Sequence, residues 1–189
     1  MNSVIMHYGV PQTPDGKGSG RYRKDWSYKQ LTPRQRARRA SMTKDAVDSI
    51  ISTLDKEDRH RLGMDENEPY LSLDEGEYLV FRSLIKVDKL PVSFFDLLED
   101  GEKSLNVCLG TRHGDEYRGR GYATKATEQA MAWVKMNKNN LPQDYIHWSA
   151  LRTNTASRKL AEKYGFELYE DNERWTPDDE WVLYIYDIH

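Results

Sequence analysis

Arg118-Gly119-Arg120-Gly121-Tyr122-Ala123 stands between a stretch rich in β-branched residues (103 to 113, KSLNVCLGTRH) and one with helical periodicity (122 to 136, YATKATEQAMAWVKM). Glycines let a backbone approach a ligand closely, and the helix that follows offers unpaired N–H groups and the positive end of its dipole. The turn therefore predicts a cradle for a diphosphate. It is not a Walker loop, because no Gly-Lys-Ser or Gly-Lys-Thr follows, and Thr124 stands where a dinucleotide fingerprint needs its third glycine. Short Arg/Gly strings also occur in nucleic-acid-binding tails, so the hexapeptide takes its meaning from its neighbours.

Upstream, residues 77 to 87 (EYLVFRSLIKV), 90 to 98 (LPVSFFDLL) and 103 to 113 read as three antiparallel strands separated by turns at Asp88-Lys89 and 99 to 102. Downstream of the helix at 122 to 136, with Ala126, Ala130, Trp133 and Val134 on its buried face, come a strand at 145 to 151 and a helix at 154 to 164 ended by Gly165. Strands at 166 to 170 and 180 to 187 follow. The pattern predicts an α+β fold with one mixed, mostly antiparallel sheet flanked by helices.

Thr32-Pro33-Arg34-Gln35 has the form of a capping box and starts a basic helix. A second helix start is expected at Thr43, with Val47, Ile50, Ile51 and Leu54 as one apolar stripe, and Asp55 caps a short third helix that stops at Gly63. Before them, residues 7 to 31 hold four glycines and two prolines with no apolar period, so residues 1 to 31 are expected as a basic extended arm. The division is then an arm at 1–31 and one domain at 32–189, helical at 32–63 with its motif-bearing core at 76–189.

The chain has 189 residues and a net charge of −3, of which residues 1 to 40 contribute +7 and the remainder −10. A basic arm thus precedes an acidic body; such arms meet acidic surfaces or nucleic acid, or simply solubilise a flexible end. The lone Cys108 excludes an internal disulfide and a multi-cysteine zinc site, so a reducing compartment and no metal are expected. No run approaches the roughly 18 to 20 apolar residues of a membrane span, and a cytoplasmic protein is expected.

The hexapeptide resembles the acyl-CoA diphosphate motif of the GNAT superfamily of N-acetyltransferases, Gln/Arg-x-x-Gly-x-Gly/Ala. Asn154, Ser157, Leu160 and Gly165-Phe166 in NTASRKLAEKYGF are similar to that family's Asn-x-x-Ala/Ser-x-x-Leu…Gly-Phe helix. Gly-Tyr-Ala-Thr after the loop and Asn-x-x-Ser on the late helix look most like its ribosomal-protein and alanine N-terminal acetyltransferase branch. The resemblance covers roughly residues 76 to 189 and implies a sheet splayed at an acetyl-CoA site.

It further implies that the backbone of Arg118, Gly119, Arg120, Gly121, Tyr122 and Ala123 holds the CoA diphosphate, with both arginine side chains near phosphate. Thr111, Arg112 and His113 would pair with the pantetheine amides. Asn154 would bond the pantetheine arm or cap its own helix, two compatible uses. The implied reaction is direct attack of an amine on the thioester, which needs a base, donors for the oxyanion and an acid for the thiolate. The tyrosine many members use as acid falls at Ala161, and the glutamate often used as base falls near Val107. Ser157 stands where a serine is the proposed acid in the ribosomal-protein branch, or is a local cap partner. His147 is the candidate base, or a packed strand histidine. Tyr164 is expected to pack at the helix end, and Cys108 as a small buried residue rather than a nucleophile.

His7-Tyr-Gly-Val-Pro with Gly18-Ser-Gly-Arg-Tyr-Arg23 looks like leader segments of bacteriophage head proteins, and 52 to 63 like the helical region joining such leaders to GNAT domains. In GNAT enzymes a first strand opens the chain; here only Val4 to Tyr8 has that character. Two functions follow. One is an acetyl-CoA-dependent N-acetyltransferase acting on an amine of a protein or small molecule. The other is a catalytically degenerate GNAT-fold phage virion or interaction protein that docks on a phage structural protein or acidic surface through residues 17–39, in the host cytoplasm or virion. The body has no matching basic face, so nucleic acid is not the expected partner.

Overall fold

The computed structural model describes residues 5–7, 10–11, 33–64, 78–99, 103–169 and 180–189. Among these residues eight strands form one sheet: β1 (Ile5–His7), β2 (Val10–Pro11), β3 (Tyr78–Val87), β4 (Leu90–Glu99), β5 (Ser104–Thr111), β6 (Tyr145–Leu151), β7 (Glu167–Tyr169) and β8 (Trp181–Asp187). Their order is β2-β1-β3-β4-β5-β6-β8-β7. Every pairing is antiparallel except β5 with β6. Asp88 and Lys89, both at positive φ, make the two-residue turn between β3 and β4.

Helices cover both faces. α3 (Tyr122–Asn137) lies on one face, where Ala126, Ala130 and Val134 meet Phe95, Leu97 and Ile146, and α4 (Thr155–Lys163) adds Ala161 to the same core. Trp133, expected in that core, is half-buried and stacks on Phe81 at 4.8 Å. On the other face, α1 (Pro33–Ile51) sets Val47, Ile50 and Ile51 against Leu84 and Phe94, with Leu54 just beyond the helix end completing the expected stripe. α2 (Lys56–Arg61) follows, its N-cap Asp55 accepting from the Asp58 N–H at 2.8 Å.

Two expectations are corrected. No helix start occurs at Thr43: α1 runs unbroken from Pro33 to Ile51, and the Thr43 hydroxyl that would cap a new start instead accepts from Arg82 at 2.9 Å. The arm does not lie wholly outside the domain, since Ile5–His7 pairs with Ser83–Ile85 as the strand expected at 4 to 8. Val10–Pro11 pairs with β1 in turn, and the arm's other residues, with the capping threonine Thr32, fall outside the described residues. No helix among the described residues is long and apolar enough to cross a membrane.

One polar contact crosses the α1 face. Arg82 and Asp96, neighbours on β3 and β4, form a buried bidentate ion pair in which Arg82 Nε lies 2.7 Å from Asp96 Oδ1. Burial pushes the Asp96 carboxyl above its ordinary value of 3.8, against the pull of the Arg82 charge.

Candidate active site

The parallel strands β5 and β6 pair over only three positions, from Ser104 opposite Tyr145 to Asn106 opposite His147. Beyond them β5 runs on to Thr111 and β6 to Leu151 without further pairing to each other, so the sheet is splayed where the sequence expects it. A cleft of about 610 Å³ opens there, lined by 107–111 of β5, 148–149 of β6, the loop ahead of α3 and one side of α4.

The loop supplies the donors. Gly119 (φ 67°) and Gly121 (φ 76°) are both left-handed, a conformation that costs other residues roughly 1 to 2 kcal/mol. A Cβ on either would meet no protein atom within 4 Å, so nothing in the fold fills the space before them. Gly121 is the N-cap of α3 and carries no side chain to cap it. The backbone N–H groups of residues 119–124 meet no acceptor among the described residues. A row of free N–H groups at a helix start beside open space has the donor chemistry an anion such as a diphosphate needs.

Arg118 is not free to face this space: its guanidinium bonds the carboxylate of Asp58 on α2. Asp58, only 8% exposed, also takes His113 Nδ1 at 2.8 Å and Arg61 at 3.2 Å. This anchor between α2 and the loop is absent from the sequence reading. Its trace there is a carboxylate three residues after the cap Asp55, on a face that also carries apolar neighbours. Arg120 is exposed, and Tyr122 and Ala123 line the cleft as the first turn of α3.

Of the three residues expected against pantetheine, Thr111 lines the cleft. Arg112 and His113 lie outside it, and their N–H groups are used elsewhere: Arg112 donates to the Val92 carbonyl at 2.8 Å and His113 to Thr53 Oγ1 at 3.0 Å. The Arg112 guanidinium staples α1 through Ser49 O and Oγ. The strand edge that faces the cleft is therefore 107–111.

On α4, Asn154 is both cap and cleft wall, its Oδ1 accepting from the Ser157 N–H at 3.2 Å. Ser157 lines the cleft, and Trp148 Nε1 donates to its Oγ at 3.0 Å. His147 is half-buried on the strand face opposite Trp148 and does not line the cleft. Ala161 is wholly buried, and Val107 lines the cleft. Tyr164 packs at the helix end as expected, its hydroxyl donating to the Thr124 carbonyl at 3.2 Å, and burial pushes its pKa up. Cys108 is half-buried and lines the cleft, less enclosed than expected.

Residues 79–167 match the family described as Acetyltransferase (GNAT) domain. These residues are similar to a GNAT acetyltransferase domain. Solved structures share the fold. The GNAT domain of S. lividans PAT aligns with TM-score 0.55 and 14% identity over 77% of this chain and 85% of that one. The GNAT-family acetyltransferase from Streptococcus pneumoniae aligns with 0.52 and 14% over 77% and 95%. The N-acetyltransferase from Staphylococcus aureus Mu50 aligns with 0.51 and 14% over 77% and 94%. No curated protein sequence matches the chain. GNAT acetyltransferases use acetyl-CoA as cosubstrate, and here the splay, the glycine loop and α4 together make a cleft of fitting chemistry.

Proposed function

We propose that the chain is an acetyl-CoA-dependent N-acetyltransferase that delivers an acetyl group to an amine of a protein or small molecule by direct attack. The observation that carries this reading is the row of unpartnered N–H groups at 119–124 facing a cleft between two parallel strands that stop pairing after three positions. The loop and the first turn of α3 would hold the diphosphate, and the open edge of β5 at 107–111 would hold the pantetheine amides. Bound there, acetyl-CoA supplies an activated thioester carbonyl.

Ser157 is assigned the acid. An indole N–H only donates, so Ser157 Oγ accepts from Trp148 and its own proton is left to point into the cleft. Nothing of this kind stands at Ala161. His147, on the opposite strand face, serves as base only for an amine that enters from that side, through a water. The acceptor is a cation before it reacts, and the −10 charge of residues 41 to 189 favours cationic acceptors by steering.

Calorimetric titration of acetyl-CoA into the purified protein tests the cofactor assignment. Mass spectrometry of an amine and peptide panel incubated with acetyl-CoA tests the transfer. Micromolar binding and a gain of one acetyl group on a basic acceptor are expected; absence of acetyl-CoA binding overturns the reading.

A further inference from the structure

Asp58 stands on α2 and is 8% exposed. Its carboxylate meets partners from three parts of the fold: Arg61 one turn along α2, His113 just past the end of β5, and Arg118 at the head of the glycine loop. Both ends of the segment 113–118 are thereby tied to α2 and to the turn that precedes it. At one end the His113 N–H donates to Thr53 Oγ1 at 3.0 Å, and His113 Nδ1 lies 2.8 Å from Asp58 Oδ2. At the other the Arg118 guanidinium bonds that same oxygen. In between, the Tyr117 and Arg118 N–H groups donate to the Gly114 carbonyl at 3.0 and 3.1 Å and close one turn.

The residues that follow have no such ties. Gly119 and Gly121 are at positive φ, and the N–H groups of 119–124 meet no acceptor among the described residues. The shape of the loop is therefore set from its flanks. On one side α3 is held where Tyr164 Oη donates to the Thr124 carbonyl at 3.2 Å; on the other stands Asp58. Charge does not explain this arrangement, because an anion site gains from a free arginine at its mouth and loses by Coulomb repulsion from a carboxylate beside it. Here the carboxylate holds the arginine, and with Glu57 on Arg61 two acids balance two cations on this wall of the cleft. What Asp58 supplies is position.

We propose that Asp58 is a positioning residue for the cofactor. It holds Arg118, the first residue of the loop, so that the backbone N–H groups after it are aimed at the diphosphate, and the Arg118 side chain serves the loop rather than the phosphate. This rests on the cofactor reading above and deepens it, and it departs from the role that the sequence resemblance implies for Arg118. Recognition by backbone donors then depends on a carboxylate 60 residues earlier in the chain, outside the motif itself.

The test is calorimetric titration of acetyl-CoA into the wild type, Asp58→Asn, Arg118→Met and the double variant, with circular dichroism confirming the fold and steady-state kinetics separating KM from kcat. Each single variant is expected to bind acetyl-CoA about 10-fold more weakly, within the coupling range of residues in one hydrogen-bond network. The double variant should bind no more weakly than Asp58→Asn. Loss of a negative charge beside the loop would by itself tighten binding of an anion, so weaker binding by Asp58→Asn reports geometry. The KM for acetyl-CoA should rise with a smaller change in kcat, because the loop stands at the diphosphate and away from the thioester. Binding by Asp58→Asn as tight as the wild type or tighter overturns the proposal, as does a fall in kcat at unchanged KM. Losses that add in the double variant also overturn it, by putting Arg118 on the phosphate itself. These results leave the cofactor reading standing. If Asp58→Asn does not fold, His113→Ala takes its place in the cycle, since His113 reaches the loop through the same carboxylate. If the wild type does not bind acetyl-CoA, both readings fall.

Discussion

Trp148 Nε1 donates to Ser157 Oγ at 3.0 Å across the gap between β6 and α4. Trp148 is held by edge contacts to Phe95 and Phe166, at 5.6 and 5.3 Å between ring centroids, so the indole is a rigid donor. A hydroxyl that accepts from a fixed N–H has fewer directions left for its own proton. Ser157→Ala is expected to lower turnover by about 100- to 10,000-fold, the contribution of one positioned acid, with acetyl-CoA affinity nearly unchanged. Trp148→Phe should lower turnover of the wild type but not of the Ser157→Ala variant; steady-state kinetics of the four proteins checks this. Equal effects in both backgrounds would mean that Trp148 acts only through packing.

Gly121 is left-handed at the start of α3, with nothing of the protein before it. Gly121→Val adds a branched side chain where the diphosphate would lie and strains the backbone by roughly 1 to 2 kcal/mol. Loss of acetyl-CoA binding by calorimetry is expected, with a fall in melting temperature of only a few degrees. Wild-type affinity in the variant would remove the anion site from the loop.

Asp58 and Arg118 are unequal partners. Removing Arg118 leaves Asp58 with Arg61 and His113, whereas removing Asp58 leaves all three without their shared acceptor. The Arg118 side chain is 42% exposed, so its own loss is softened by solvent. Asp58→Ala is expected to cost about 1 to 3 kcal/mol, and Arg118→Ala clearly less. Urea unfolding of the two variants gives the comparison, and the reverse order would show that the anchor is Arg118.

Arg82 and Asp96 make the pH-dependent contact. Because burial raises the folded-state pKa of Asp96 above 3.8, the folded protein keeps a proton that the unfolded chain releases. This group's contribution therefore falls as pH rises from 3.8 through the raised value, and is flat above it. Asp96→Ala should cost about 3 to 5 kcal/mol by leaving the Arg82 charge buried without its carboxylate, while Arg82→Met/Asp96→Leu should regain most of it. Melting temperatures measured between pH 4 and 8 check both, since the downward slope should vanish in the double variant.

Much of this protein was legible along the chain because the signals are local. The alternation of β3 to β5, the stripe at Val47, Ile50 and Ile51, and the caps at Asp55 and Asn154 are each set by neighbours a few residues away. The anion loop is of the same kind, since two glycines and the start of a helix suffice to define it. Tertiary structure decided the rest. The helix start at Thr43 gave way because its hydroxyl, the expected cap, is taken by Arg82 on β3, 39 residues away. The burial of Asp58 depends on His113 and Arg118, 55 and 60 residues away. Which N–H groups of 111–113 remain available follows from Val92 and Thr53, brought there by the sheet and α1. The direction of Ser157 was fixed only when α4 docked through Ala161 and Tyr184, because a helix has a cleft face only after its buried face has been chosen.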